Sequence, residues 1–225
     1  MIQLDFMAVL SQWPALLRGA AFTLSLSAAA AVLGVGLGIF CAWCGAWGPK
    51  PLAAVVSVYV ELVRNTPFIV QLFFIFFGLP SLGIKLSPEV ASIIAMVVNL
   101  GAYSAEIVRA GIEGTPQGQL EAARSLTMTE LQVFTRVVLP PSLGRVWPSL
   151  VSQIVILMLG SAVCGQISAQ QLRYAANLIQ SRNFRAFEAY IIATAIYQAM
   201  SVGVRYLLNW AGPKYLFGRL PNAGR

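Results

Sequence analysis

The sequence predicts an all-α membrane protein with about five transmembrane helices, and three observations carry that prediction. Of its 225 residues, 58% are hydrophobic and 10% charged, where ordinary soluble domains carry roughly 25% charged residues; the mean hydropathy is +0.74. The charges are also bunched. No Asp, Glu, Lys or Arg occurs between Arg18 and Lys50, nor within 65–84, 90–105, 146–172 or 189–204. A bilayer-spanning helix needs about 20 apolar residues, which three of these runs reach outright and the others reach with their flanks. Finally, the chain lacks the tools of several enzyme classes. It has no His, its only Asp is Asp5, and no Gly-Lys-Ser or Gly-Lys-Thr triplet occurs. Those absences exclude His-based general-base and zincin chemistry, an aspartyl dyad and an ATP phosphate loop. No catalytic residue, no metal site and no bound cofactor is assigned; ATP and Mg, if used, belong to a partner chain.

The expected spans are 17–45, 52–79, 88–112, 142–166 and 187–211, with lengths that permit tilt. The N-terminus has no basic segment, and Asp5 is its only charge before Arg18, so the first span is expected to stay as an anchor rather than be cleaved. Within it, Ala30, Gly34 and Gly38 recur every fourth residue, a spacing that lets helix backbones approach closely in lipid. Cys41 and Cys44 form a C-x-x-C spacing but lie in a charge-free helix, where they read as small apolar residues. Lys and Arg fall unequally. With the N-terminus outside, Lys50, Arg109, Arg124, Arg136, Arg145, Lys214, Arg219 and Arg225 lie inside, against Arg18, Lys85, Arg173, Arg182 and Arg185 outside. A periplasmic N-terminus and a cytoplasmic C-terminus are expected.

The longest hydrophilic interruption is patterned. Thr115-Pro116 fits a helix start with a capping hydroxyl. A short helix follows, with Leu120, Ala123 and Leu126 on one side. Thr129 to Gln132 has the form of a capping box, opening a second helix striped by Leu131, Phe134, Val137 and Val138. Leu139-Pro140-Pro141 is expected to stop it. By pattern alone, two such helices make either a compact knob or a pair resting on lipid headgroups.

These residues also carry a resemblance. Glu121-Ala122-Ala123-Arg124-Ser125-Leu126, followed by Val138-Leu139-Pro140, resembles the "EAA" cytoplasmic loop of permease subunits of ATP-binding cassette (ABC) importers. Val63-Arg64-Asn65-Thr66-Pro67, Gly101-Ala102-Tyr103-Ser104-Ala105-Glu106-Ile107-Val108-Arg109-Ala110-Gly111, and Phe187-Glu188-Ala189-Tyr190 are similar to the polar amino-acid branch, of histidine, glutamine and arginine type. The resemblance spans nearly the whole chain. It implies one type I permease domain over 1–225 in the bacterial inner membrane, with a cytoplasmic coupling loop at about 113–141. It further implies a cytoplasmic ATPase dimer, a second permease subunit in a hetero- or homodimer, a periplasmic amino-acid-binding protein and surrounding lipid as partners; nucleic acid is not among them. Gly118, Glu121, Ala122, Ala123, Arg124, Thr127, Leu139 and Pro140 are the expected ATPase-coupling residues. Glu61, Arg64, Asn65, Thr66, Tyr103, Glu106, Gly160 and Ser161 are the expected substrate path.

Two departures stand out. Thr127 occupies the turn where the family usually has Gly, and because Thr adopts positive φ poorly, a different turn geometry is expected. Leu159-Gly160-Ser161-Ala162-Val163 stands where the branch commonly has Lys-Asp-Thr-Ser-Leu, and Gln171-Leu172 replaces a Glu-Leu pair. Loss of that charge pair implies the non-binding half of a heterodimer. Glu61 and Arg64, three residues apart, are expected to pair along one helix face, either as a clamp for an amino acid's carboxylate and ammonium or as a structural pair. Glu106, Arg109 and Glu113 read as a mutually paired helix end. The competing function is a secondary amino-acid transporter working without an ATPase; inverted repeats and mid-span acidic ion sites mark that class, and no internal repeat is found.

Overall fold

The computed structural model of the chain describes residues 4–216, so Arg219 and Arg225, counted above among the inner charges, lie outside the described residues. Among the described residues all regular structure is helical. The helices are α1 (Met7–Leu10), α2 (Trp13–Trp47), α3 (Lys50–Arg64), α4 (Phe68–Leu82), α5 (Pro88–Glu113), α6 (Gln117–Ser125), α7 (Glu130–Ile167), α8 (Leu172–Asn183) and α9 (Ala186–Ala211). Of these, α2, α5, α7 and the α9 segment are each long and apolar enough to cross a membrane, and α3 with α4 makes a fifth span if counted as one bent pair.

Two expected boundaries are corrected. The second span does not run unbroken through 52–79. Pro67 supplies no N–H and biases Thr66 away from helical backbone, and α3 ends with Asn65 at φ −97°, ψ 6°. The Gln71 amide then donates to the Thr66 carbonyl at 3.1 Å and to its hydroxyl at 2.9 Å. Conversely, Leu139-Pro140-Pro141 does not stop a helix. Val133–Val138 forms wider π turns, and a new α-helical stretch begins at Leu139. The π turns shift the hydrogen-bond register just ahead of Pro140 and Pro141, which have no N–H to contribute, and the helix passes through them. The second amphipathic helix and the fourth span are consequently one continuous α7.

The chain forms two compact units, each assembled from three stretches. One comprises the chain up to Val32, Thr66–Val97 and Val155–Val204. Its core gathers Val9, Leu16, Met158, Leu172, Ile179 and Ala189. The lack of a side chain at Gly19 matters there, since a Cβ would lie 2.9 Å from the Leu172 Cα. That approach lets the Leu172 N–H donate to the Thr23 hydroxyl at 3.1 Å. Buried Gln171 donates to the Ala162 carbonyl (2.9 Å) and accepts from the Tyr197 hydroxyl (2.6 Å) and the Arg173 N–H (2.9 Å). The α8 helix was not foreseen, although Leu172, Ala176 and Ile179 form a buried helical stripe.

The other unit comprises Leu33–Asn65, Val98–Ile154 and the chain from Arg205. The small-residue face of α2 packs on α5: a Cβ on Gly34 would lie 2.9 Å from Leu100 Cβ, and one on Gly38 would strike Ser104 and sit 2.9 Å from the Ala105 N. Tyr59 of α3 donates to the Val98 carbonyl at 2.7 Å. Gly101 leaves room for that hydroxyl, which a Cβ there would meet at 2.7 Å. The larger core holds Val108, Ile112, Ala123, Phe134, Val138, Trp147 and Leu150.

Candidate functional site

A cleft of about 680 Å³ opens in this second unit, among α2, α3 and α5. Cys41, Val56, Val60 and Ala105 form its apolar side, while Glu61, Arg64, Asn65, Tyr103, Glu106 and Arg109 supply its polar groups. The break after α3 sets the position of the last two α3-side groups. Arg64 is the final residue of the helix and Asn65 its C-cap.

The charged groups form a ladder. Arg64 Nη1 lies 3.1 Å from Glu106 Oε2, and the guanidinium sits 5.7 Å from the centroid of the Tyr103 ring, within cation–π range. Glu106 also accepts from Arg109 through both oxygens, at 2.9 and 3.1 Å. Arg109 in turn contacts Glu113. The expected Glu61–Arg64 pair is therefore replaced by Arg64–Glu106. The reason is geometric: an i,i+3 pair on one helix contributes only about 0.2–0.5 kcal/mol, and Arg64 instead gains the Tyr103 face and a carboxylate already oriented by Arg109. Such partly exposed pairs are each worth about 0–1 kcal/mol, so the ladder is easily rearranged.

Of the eight expected path residues, Glu61, Arg64, Asn65, Tyr103 and Glu106 line the cleft. Thr66, engaged by Gln71, is not among the lining residues, nor are Gly160 and Ser161. Gly160 ends the α-helical part of α7, and Ser161 is fully buried, donating to the Met158 carbonyl at 2.6 Å. Arg109 lines the cleft as well, although it is not among the expected path residues; its spacing from Glu106 is the signal in the sequence.

The expected coupling residues cluster around α6. Gly118, Glu121, Ala122, Arg124 and Thr127 are exposed, and Leu139 and Pro140 half-buried. Ala123 points the other way, 4% exposed within the cluster that includes Phe134 and Met128, so it anchors α6 rather than facing a partner. Arg124 pairs with Glu130 at 3.2 Å. Leu126 is 73% exposed instead of joining the inner stripe. Thr115 does not cap α6; its hydroxyl lies 3.4 Å from that of Ser142. The Thr129–Gln132 capping box forms in both directions, at 2.9 and 3.3 Å.

The expectation of an altered turn at Thr127 is overturned. Thr127 holds φ +55°, the left-handed conformation a Gly would take. Its N–H donates to the Arg124 carbonyl (2.9 Å), and the Met128 N–H to that of Ala123 (3.4 Å). This is a Schellman closure of α6, with Thr tolerated at the strained position.

The comparisons with known proteins agree. A sequence profile of the family described as binding-protein-dependent transport system inner membrane component matches residues 34–216. A probable glutamine ABC transporter permease protein, GlnM, of Bacillus subtilis is 35% identical over 162 residues, 70% of this chain and 75% of that protein. The L-cystine transport system permease protein TcyB of the same organism is 35% identical over 188 residues, covering 83% and 80%. The arginine transport system permease protein ArtQ is 31% identical over 200 residues, covering 88% and 91%. Among solved structures, an amino acid ABC transporter crystallised with histidines superposes at a TM-score of 0.83 and 36% identity, over 93% of this chain and 98% of that one. The inward-facing MetNI methionine ABC transporter shares the fold, at a TM-score of 0.68 and 23% identity over 90% and 94%. Helical spans, a type I importer fold and these relatives lead to one conclusion: the chain belongs to the binding-protein-dependent transport system inner membrane component family, as a multi-pass permease component of the amino-acid ABC transporter kind.

Proposed function

We propose that this chain is the permease subunit of an ATP-driven importer that moves a polar or charged amino acid across the bacterial inner membrane. The observation that carries the reading is the construction of the α6 region. Glu121, Ala122 and the Arg124–Glu130 pair stand exposed on a base of buried Ala123, Phe134 and Val138. A rigid, outward-facing helix mounted on the transmembrane helices is what transmits movement from a cytoplasmic ATPase. ATP and Mg stay on that partner. ATP binding shifts the permease between conformations because the ATPase dimer binds them with different affinity.

The N-terminus faces the periplasm and the C-terminus the cytoplasm in this reading. A periplasmic amino-acid-binding protein delivers cargo, and a second permease subunit, identical or not, completes the channel. The charged cleft favours a chain that itself contacts cargo over the non-binding half of a heterodimer. Intramembrane ionisable groups are functional by default, and here an arginine and Glu61, which has no ion pair among the described residues, are presented together.

The test is to purify the tagged chain gently from its native membrane, identify what accompanies it, and reconstitute the complex in vesicles with an isotope-labelled mixture of the twenty L-amino acids. An ATPase in the preparation and ATP-dependent accumulation of one or a few amino acids are expected. A chain that came out alone and transported without ATP would be a secondary transporter, and the proposal would fall.

A further inference from the structure

We propose that Glu106 is a displaceable placeholder on Arg64: it occupies the guanidinium that an amino acid's carboxylate takes when cargo enters the cleft. This rests on the reading of the cleft as the substrate path, and adds to it a competition within the protein.

The ladder has an order. Glu113, Arg109, Glu106 and Arg64 follow one another, each contacting the next. Arg64 is the terminal member and, among the described residues, touches the ladder through Glu106. When Arg64 turns to another carboxylate, Glu106 keeps both of its contacts to Arg109, and Arg109 keeps Glu113. No charge is stranded, so the exchange trades one ion pair for another of the same chemistry.

Three further features suit the exchange. Arg64 stays oriented by the Tyr103 ring beneath it, and its planar fork matches a carboxylate in two-point contact. Its side chain is 42% exposed, so cargo can reach it. Glu61 lines the same cleft one turn earlier on α3 and has no ion pair among the described residues, which leaves its carboxylate for the ammonium of the same amino acid. The apolar side formed by Cys41, Val56 and Val60 then faces the cargo's side chain.

A placeholder makes a prediction opposite in sign to that of a structural pair. With the purified permease–ATPase complex in lipid nanodiscs, equilibrium binding is measured for the labelled amino acid that the wild-type complex accumulates. Glu106→Gln removes the competitor while leaving Arg109 its Glu113, and is expected to tighten binding by up to about fivefold, the range set by one partly exposed ion pair. Arg64→Lys, which keeps charge but loses the fork, is expected to weaken binding at least about tenfold. The exchange Arg64→Glu with Glu106→Arg covers the case in which Glu106→Gln assembles poorly; it restores an ion pair with the receptor on the wrong helix and is expected to leave binding lost. Equal weakening by Glu106→Gln and Arg64→Lys, or recovery of binding in the exchanged pair, would overturn the placeholder while leaving the importer reading intact. Absence of ATP-dependent accumulation by the wild-type complex would instead remove the reading on which it rests.

Discussion

The Ser142 hydroxyl of α7 donates to the Gly111 carbonyl of α5 at 3.0 Å, and Arg145 donates to the same oxygen at 2.8 Å. Gly111 lies in the last turn of α5, where carbonyls have no intrahelical partner. The two side chains satisfy one of them and place a positive charge at the negative end of the helix dipole. Gly111 must be glycine for this approach, because a Cβ would lie 2.9 Å from Val146 Cγ1 and 3.0 Å from the Ser142 carbonyl oxygen. Arg145→Gln should therefore cost about 1–2 kcal/mol of stability, read as a lower unfolding temperature of the purified chain. Ser142→Ala should cost less, since Arg145 still serves the carbonyl.

Thr127→Gly should stabilise the protein. The left-handed conformation costs a residue with a Cβ about 1–2 kcal/mol, and glycine adopts it freely at some cost in unfolded-chain entropy. A net gain of about 0.5–1 kcal/mol corresponds to a rise of about 1–4 °C in melting temperature for a chain of this size. An unchanged or lower value would show that the Thr127 side chain contributes something the backbone strain conceals.

Neighbouring glycines of α2 should behave differently. Gly38→Ala places a methyl against Ser104 and Ala105, and overpacking of this kind costs about 1–3 kcal/mol. Gly36→Ala meets nothing within 4 Å and should be neutral or slightly stabilising, as Ala favours helix by about 1 kcal/mol. Comparing thermal unfolding of the two variants checks the close helix packing directly.

If α6 meets the ATPase as proposed, its two alanines Ala122 and Ala123 should respond differently to substitution. Ala122→Arg changes an exposed position and should impair ATPase recruitment, measured by co-purification, with little effect on melting temperature. Ala123→Arg forces a charge into a buried cluster and should lower the melting temperature through a penalty of several kcal/mol. Equal thermal effects would contradict the orientation of α6.

Gln171 should resist exchange for Glu. Its amide donates to Ala162 and its oxygen accepts from Tyr197 and Arg173; a carboxylate has no proton for the first of these. Gln171→Glu should cost about 1–3 kcal/mol at neutral pH, the penalty of leaving a buried acceptor unsatisfied. Thermal unfolding of the variant measures it.

Much of the molecule was legible in the chain. The spans follow from charge-free runs, the capping box from Thr129 and Gln132, and the packing face of α2 from Ala30, Gly34 and Gly38, because each depends on residues close in sequence. The prolines were only half legible. Pro67 ends a helix as its chemistry dictates, whereas Pro140 and Pro141 are absorbed into a continuous helix just after a stretch of π turns. The α8 helix was overlooked because its Leu172, Ala176 and Ile179 stripe is short and lies among charges that read as a loop.

What the sequence by itself determined is the class of protein, the charge-free runs that become its membrane-spanning helices, the short helix after Pro116 and the family, all properties of composition and local pattern. Tertiary structure alone decided which carboxylate Arg64 meets, that Ala123 turns inward while Ala122 stays exposed, and that Ser161 is buried. The reason is that a side chain's partner depends on helix rotation and on which helices lie adjacent. Glu61 is near Arg64 along the chain, yet the approach of α3 to α5, permitted by Gly101 and fastened by Tyr59, brings Glu106 to the guanidinium first.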